Sequence, residues 1–210
     1  KKDENFEKKL KEISKKNKNQ IKPIYFDLSN EKEIERAVKE IVDLNLNIEI
    51  LVNNAGVNQV SLFQMTSIQK IKEIFQVNFF SQVQFTQKII KMMIKNKKGS
   101  IINLSSNAAV ECDAGRSAYA SSKAALITFT KVLSKELGAF NIRTNSIAPG
   151  LTKTEMMEKD ISKKIIDEAI NKIPLKRPAD PEEISNVAVF LASDLSTYIN
   201  GEVIFVTGGY

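Results

Sequence analysis

The run Ile48-Glu49-Ile50-Leu51-Val52 sets the narrowest limits on the fold, because it is short, nearly all apolar and closed at once by Asn53-Asn54-Ala55-Gly56. A strand with one wet face alternates polar and apolar residues. A nearly unbroken apolar run marks a parallel strand covered on both faces. Comparable runs fall at 21–27, 99–105, 142–147 and 203–206, and stretches of helical periodicity separate them. Strands that alternate with helices predict an α/β fold with a parallel sheet. In such sheets ligands bind beyond the carboxyl ends of the strands, which is where Asn53 to Gly56 fall.

The helical stretches carry their own punctuation. A first helix is expected from about Asp3 to Lys16, with Phe6, Leu10 and Ile13 on one face. Ser29 is expected to cap the second, whose first turn holds Glu31 and Glu33 and whose apolar face is Ile34, Ala37, Val38, Ile41 and Val42. A long stretch from about Ile68 to Asn96 is predicted to be helical with a break, and Asn78 inside it lowers helix propensity. Another helix spans Ser117 to Gly138, and a last one opens at Asp180-Pro181. Leu151 to Arg177 reads as a helical lid over the site.

One constellation carries chemistry. Tyr119 and Lys123 stand one helical turn apart on the same face, and Ser106 closes the apolar run Ile101-Ile102-Asn103-Leu104. A phenol titrates near 10, too high for acid–base work at neutral pH, and a fixed ammonium beside it favours the phenolate. A serine hydroxyl can hydrogen-bond a carbonyl oxygen as that oxygen gains charge. Lysine is so common in this chain that a chance Tyr-x-x-x-Lys is about an even bet, so the spacing alone decides nothing. Its company does: Asn53-Asn54-Ala55-Gly56, then Val77-Asn78, then Ala148-Pro149-Gly150.

With these motifs in this order the chain resembles the short-chain dehydrogenase/reductase family, from about Asp27 to Gly208-Gly209. The resemblance implies a doubly wound, three-layered Rossmann-like fold and a single NAD(P)-binding domain over 1–210. It implies Asn78, Ser106, Tyr119 and Lys123 as the catalytic set, with Asn78 holding a water that leads to the lysine. It implies cofactor contacts from Asp27 and Leu28 (adenine), Asn54, Ala55 and Gly56 (ribose), Tyr119 and Lys123, and Pro149, Gly150, Thr152 and Thr154 (nicotinamide). The cofactor would be NADP or NAD, with NADP placed first, and the reaction a hydride transfer to a carbonyl or from a secondary alcohol. The overall pattern is most similar to that of 3-oxoacyl-[acyl-carrier-protein] reductases, with a sugar, polyol or steroid-like alcohol as the alternative substrate. The loop Glu111 to Arg116 departs from the glycine- and asparagine-rich form usual in those reductases, and Phe140 stands where they often carry a basic residue. Family members pair helices into tetramers, so a homo-tetramer is expected, with a second interface at the last strand.

Composition narrows the classes further. The net charge of +6 leaves room for an acidic partner such as a carrier protein, with Lys95, Lys97 and Lys98 expected near the rim of the site. The lysines are interspersed with glutamates and not with aromatics, which argues against a nucleic-acid groove. A lone cysteine and no histidine make a disulfide framework or a zinc site improbable, so no metal is expected. No apolar run reaches the ~18 residues of a membrane span, and the lone cysteine suits a reducing compartment, so a cytoplasmic setting is expected. The eight glycines include no Gly-x-Gly, so the phosphate loop of a first βα unit is absent from the sequence. The expectation is that roughly 35 residues precede Lys1, within the size range of one α/β domain. An inactive, cofactor-free binding module is the alternative from another class.

Overall fold

Parallel strands exist only side by side, and four of the expected runs find one another. The computed structural model describes residues 4–160 and 163–210. The chain forms two compact units, 1–45 and 46–210.

The larger unit holds a parallel sheet of β1 (Ile50–Asn53), β2 (Gly99–Leu104), β3 (Ile142–Pro149) and β4 (Val203–Val206), in that spatial order. The register sets Ile50 beside Ser100, Gly99 beside Ile142 and Ser146 beside Val203. Alternation along β2 assigns the two faces. Ile102 and Leu104 point one way and pack with Ile147 and Leu191, the latter from α9 (Pro181–Ala192). On that same side the Ser100 hydroxyl donates to the Leu191 carbonyl at 2.8 Å. Asn103 points to the other side, toward α6 (Ser117–Leu137), where its Nδ2 donates to Thr130 Oγ1 at 2.8 Å. Helices therefore cover both faces, and the three layers expected from the sequence are present.

Two features sharpen this picture. The long helical stretch is α3 (Ile68–Phe75) and α4 (Ser81–Asn96) joined by a π-helical turn over Gln76–Phe80, with Asn78 at its centre. β1 is not covered on both faces as the sequence suggested: Ile50 and Val52 are 49% and 45% exposed. They lie on the face of α9, and α9 packs across β2 and β3 rather than β1. Between β3 and α9 come α7 (Glu155–Asp160) and α8 (Lys163–Lys172), while residues 161 and 162 of the expected lid lie outside the described residues.

The smaller unit contains α1 (Glu4–Asn17) and α2 (Glu31–Asp43). Residues 21–27, expected as a strand, form no ladder here. A strand is defined by its partner, and among its described residues this unit offers helices and no second strand. Side chains hold the segment instead, for the Arg36 guanidinium donates to the Tyr25 carbonyl and Lys22 pairs with Glu40 at 3.4 Å. The cap of α2 is Asn30 rather than Ser29. Asn30 Oδ1 accepts from the amides of Lys32 and Glu33, whereas Ser29 turns back to donate to Asp27 Oδ1 at 2.7 Å.

Candidate active site

The carboxyl ends of β1, β2 and β3 open into a cavity of about 790 Å³. Asn54, Ala55 and Gly56 line it after β1, Ser105 and Ser106 after β2, and Pro149 and Gly150 at the end of β3. Tyr119 and Lys123 enter from α6, and Leu151, Thr152 and Thr154 from the segment after β3. Ten of the residues named from the sequence thus share one wall system, although they come from segments far apart in the chain.

Lys123 is the centre of the arrangement. It is only 4% exposed, and its Nζ donates to the Leu104 carbonyl at 2.7 Å. Burial pushes its pKa down to about 8, because desolvation penalises the ammonium and no carboxylate compensates. Gly56 makes room for it: a Cβ there would stand 3.3 Å from Lys123 Nζ and 3.5 Å from Asn78 Oδ1. Gly150 serves similarly, since a Cβ would come within 3.0 Å of the Thr207 backbone.

Asn78 does not line the cavity; it stands behind it, fully buried. Its Oδ1 accepts from the Val57 amide at 2.8 Å, and its Nδ2 donates to the Val57 carbonyl and to Ser122 Oγ at 3.0 and 3.1 Å. Ser122 donates in turn to the Tyr119 carbonyl at 2.7 Å. The π turn is thus pinned both to the loop after β1 and to the helix that carries Tyr119 and Lys123. π turns interrupt helices where a side chain must be aimed, frequently at functional sites.

Ser106 is nearly buried, and its Oγ accepts at 3.2 Å from the amide of Ala108, the first residue of α5 (Ala108–Glu111). Thr152 donates to the Gly150 carbonyl at 3.1 Å, and Thr154 Oγ1 accepts from the Met157 amide at 3.3 Å, so it caps the turn that opens α7. Asp27 and Leu28 belong to the smaller unit, where hydrogen bonds from Ser29 lower the pKa of the Asp27 carboxyl.

Lys95, Lys97 and Lys98 are not at the rim. They close α4 and precede β2, so they stand at the amino end of the sheet, about 20 Å from the cavity for a six-residue strand. Lys98 is moreover paired with Glu49 at 2.9 Å. Side chains that sequence reasoning passed over also line the cavity: Asn58, Arg116, Met156, Met157 and Ile173. Arg116 lies three residues before Tyr119, the helical spacing of neighbours, and that spacing was the available signal.

This lining fits a nicotinamide cofactor, with small residues against the strand ends and a buried cation between Gly56 and Leu104. A family model described as enoyl-(acyl carrier protein) reductase matches residues 1–210. The 3-oxoacyl-[acyl-carrier-protein] reductase FabG of Aquifex aeolicus is 40% identical over 186 residues, covering 89% of this chain and 75% of the relative. Carbonyl reductase family member 4 of Xenopus laevis is 37% identical over 184 residues, with 87% and 75% covered. Among solved structures, a putative gluconate dehydrogenase from Agrobacterium tumefaciens superposes with a TM-score of 0.92 at 26% identity, over 100% of this chain and 83% of that one. A 3-oxoacyl-[acyl-carrier protein] reductase from Brucella melitensis gives 0.88 at 28% identity, covering 97% and 76%. These names disagree on the substrate and agree on the kind of enzyme: the chain belongs to the short-chain dehydrogenase/reductase family, the NAD(P)-dependent oxidoreductases whose motifs its cavity displays.

Proposed function

We propose that this protein reduces 3-oxoacyl groups carried on an acyl-carrier protein, as a cytoplasmic homo-tetramer that uses NADP in preference to NAD. The observation that carries the reading is the convergence of Ser106, Tyr119 and the buried Lys123 on one cavity at the strand ends. The identity to FabG proteins supports the choice of substrate. The single dinucleotide-binding domain of the proposal includes both compact units, a reading supported by the family model's match to the whole of 1–210.

The nicotinamide, when bound, supplies the hydride and accepts it back in the reverse direction. Ser106 would donate a hydrogen bond to the substrate carbonyl and orient it. Tyr119 would give its phenolic proton to the oxygen as charge develops there. Lys123 would stabilise the phenolate left behind and hold the nicotinamide ribose. Asn78 would hold the water through which that proton is replaced. Asn54, Ala55, Gly56, Pro149, Gly150, Thr152 and Thr154 would bind the cofactor at the strand ends, and Asp27 and Leu28 would meet its adenine.

A substrate panel tests this with the full-length protein. Acetoacetyl-carrier protein should be the best substrate, and NADPH the better reductant. The TM-score of 0.92 to a putative gluconate dehydrogenase favours a sugar-acid alcohol as the second reading. Turnover of a sugar or polyol far above that of every 3-oxoacyl thioester would replace the first reading with the second.

A further inference from the structure

Apart from Lys123 and two tyrosines, the ionisable side chains lining the cavity are Asp113 and Arg116. Lys123 is committed to the Leu104 carbonyl. Arg116 is different. Its guanidinium carbon stands 5.8 Å from the centroid of the Tyr119 ring, a cation–π contact that leaves the N–H edges free. Among the described residues no carboxylate pairs with it, Asp113 included. It is half-buried, and it enters a cavity whose lining also includes Met156, Met157 and Ile173. Arg116 also opens α6, whose first turn no side chain caps, so the helix dipole adds to its positive charge.

We infer that Arg116 is a specificity residue that receives a free carboxylate of the substrate, and that the protein therefore also reduces short 3-oxo acids. This rests on the reductase reading above. The guanidinium fork matches a carboxylate with two parallel N–H···O bonds. A substrate whose carbonyl oxygen meets the Tyr119 hydroxyl has its next atoms beside the tyrosine ring. The guanidinium carbon stands 5.8 Å from the ring centroid, so a carboxylate held by Arg116 and a carbonyl held by the Tyr119 hydroxyl belong to one short molecule. A thioester at that place carries no charge and leaves the guanidinium unpaired. In the reaction the 3-oxo carbon gains a hydride, with its two electrons, from the reduced nicotinamide. Its oxygen gains the Tyr119 proton, so that a 3-hydroxy acid and the oxidised cofactor result.

The test compares acetoacetate with methyl acetoacetate, which differ in charge at one position, using the full-length protein and NADPH. The wild type should favour the acid in kcat/KM. Arg116→Gln should lower the ratio of acid to ester by about tenfold or more, chiefly through the KM of the acid, and Arg116→Lys should recover part of it. An unchanged ratio in Arg116→Gln, or a wild type that prefers the ester, would overturn the inference and leave the reductase reading intact. If no ketone or thioester is turned over, the reductase reading itself fails, and calorimetry with acetoacetate decides for Arg116. Binding that is lost in Arg116→Gln supports the carboxylate site, and absent or unaltered binding refutes it.

Discussion

At the scale of residues, the site turns on how a lysine can be both buried and charged. Lys123 has one strong acceptor, the Leu104 carbonyl, and no carboxylate, so its pKa falls to about 8. An unfolded lysine titrates near 10.4. Between those values the unfolded chain binds more protons than the folded one, so the free energy of unfolding should rise with pH from about 8 to about 10.4. A ¹³Cε titration of the lysines checks this directly: one resonance, lost in Lys123→Met, should move near pH 8 while the surface lysines move above 10. A Lys123 that titrates with the rest would contradict the burial. Tyr119→Phe removes one proton donor and almost no volume, so kcat should fall more than tenfold, over about 1.4 kcal/mol, while cofactor still binds. Retention of a larger fraction would take the proton from another donor. Ser106, Tyr119 and Lys123 could be singled out in the sequence because three further motifs accompany the local spacing of the last two. Arg116 offered only its spacing to Tyr119, because Met156, Met157 and Ile173, which line the same cavity, are delivered by the fold from forty and more residues away.

At the scale of elements, what the sequence carried best were apolar runs with a partner and helices with a cap. The start of α9 was read from Asp180 and Pro181, and the structure adds a full capping box in which Glu183 accepts from the Asp180 amide at 2.8 Å. Arg177 grips the same carboxylate through two N–H groups at 2.6 and 2.7 Å, and Lys153 holds Asp180 at 2.8 Å. These pairs join both feet of the α7–α8 segment to one helix start. The Arg177 guanidinium holds the Glu183 pKa down to about 2. Its contribution is therefore present above the ordinary carboxylate range and is lost as pH falls toward 2. Hydrogen exchange of residues 153–155 and 176–180 should accelerate in Glu183→Gln at neutral pH, and no change would show the clamp to be idle. The run 21–27 misled because strand propensity cannot name a partner. A second test lies in the buried amides between the sheet and its helices. Asn53 Nδ2 donates to Thr86 Oγ1 and to Asn103 Oδ1, both at 2.8 Å, and Asn103 passes the chain on to Thr130. Asn103→Ala should cost about 1–3 kcal/mol in denaturant unfolding, because its partners stay buried without it.

At the scale of the whole molecule, several large apolar side chains stand exposed. Phe80 and Val132 are 53% and 47% exposed, and Leu195 and Phe205 82% and 48%. Single exposed residues mean little, whereas contiguous apolar patches mark interaction sites. The tetramer proposed above should appear by light scattering at micromolar concentration, and a monomer there would exclude it. The placement of Lys95, Lys97 and Lys98 was legible from their position before the run 99–105, because residues that precede a parallel strand stand at its amino end. Charge can be counted along a chain, but which end of a sheet it occupies is set by strand direction. Because all four strands run one way, the larger unit has a front, where the cavity opens, and a back, where β2 begins. That polarity is useful at the bench. The exposed turn at Lys97 stands at the back, and Cys112 is exposed beside the cavity loop at the front. A protein carrying Cys112→Ser and Lys97→Cys, coupled through its new thiol to an electrode or bead, would be moored with its mouth toward the solution.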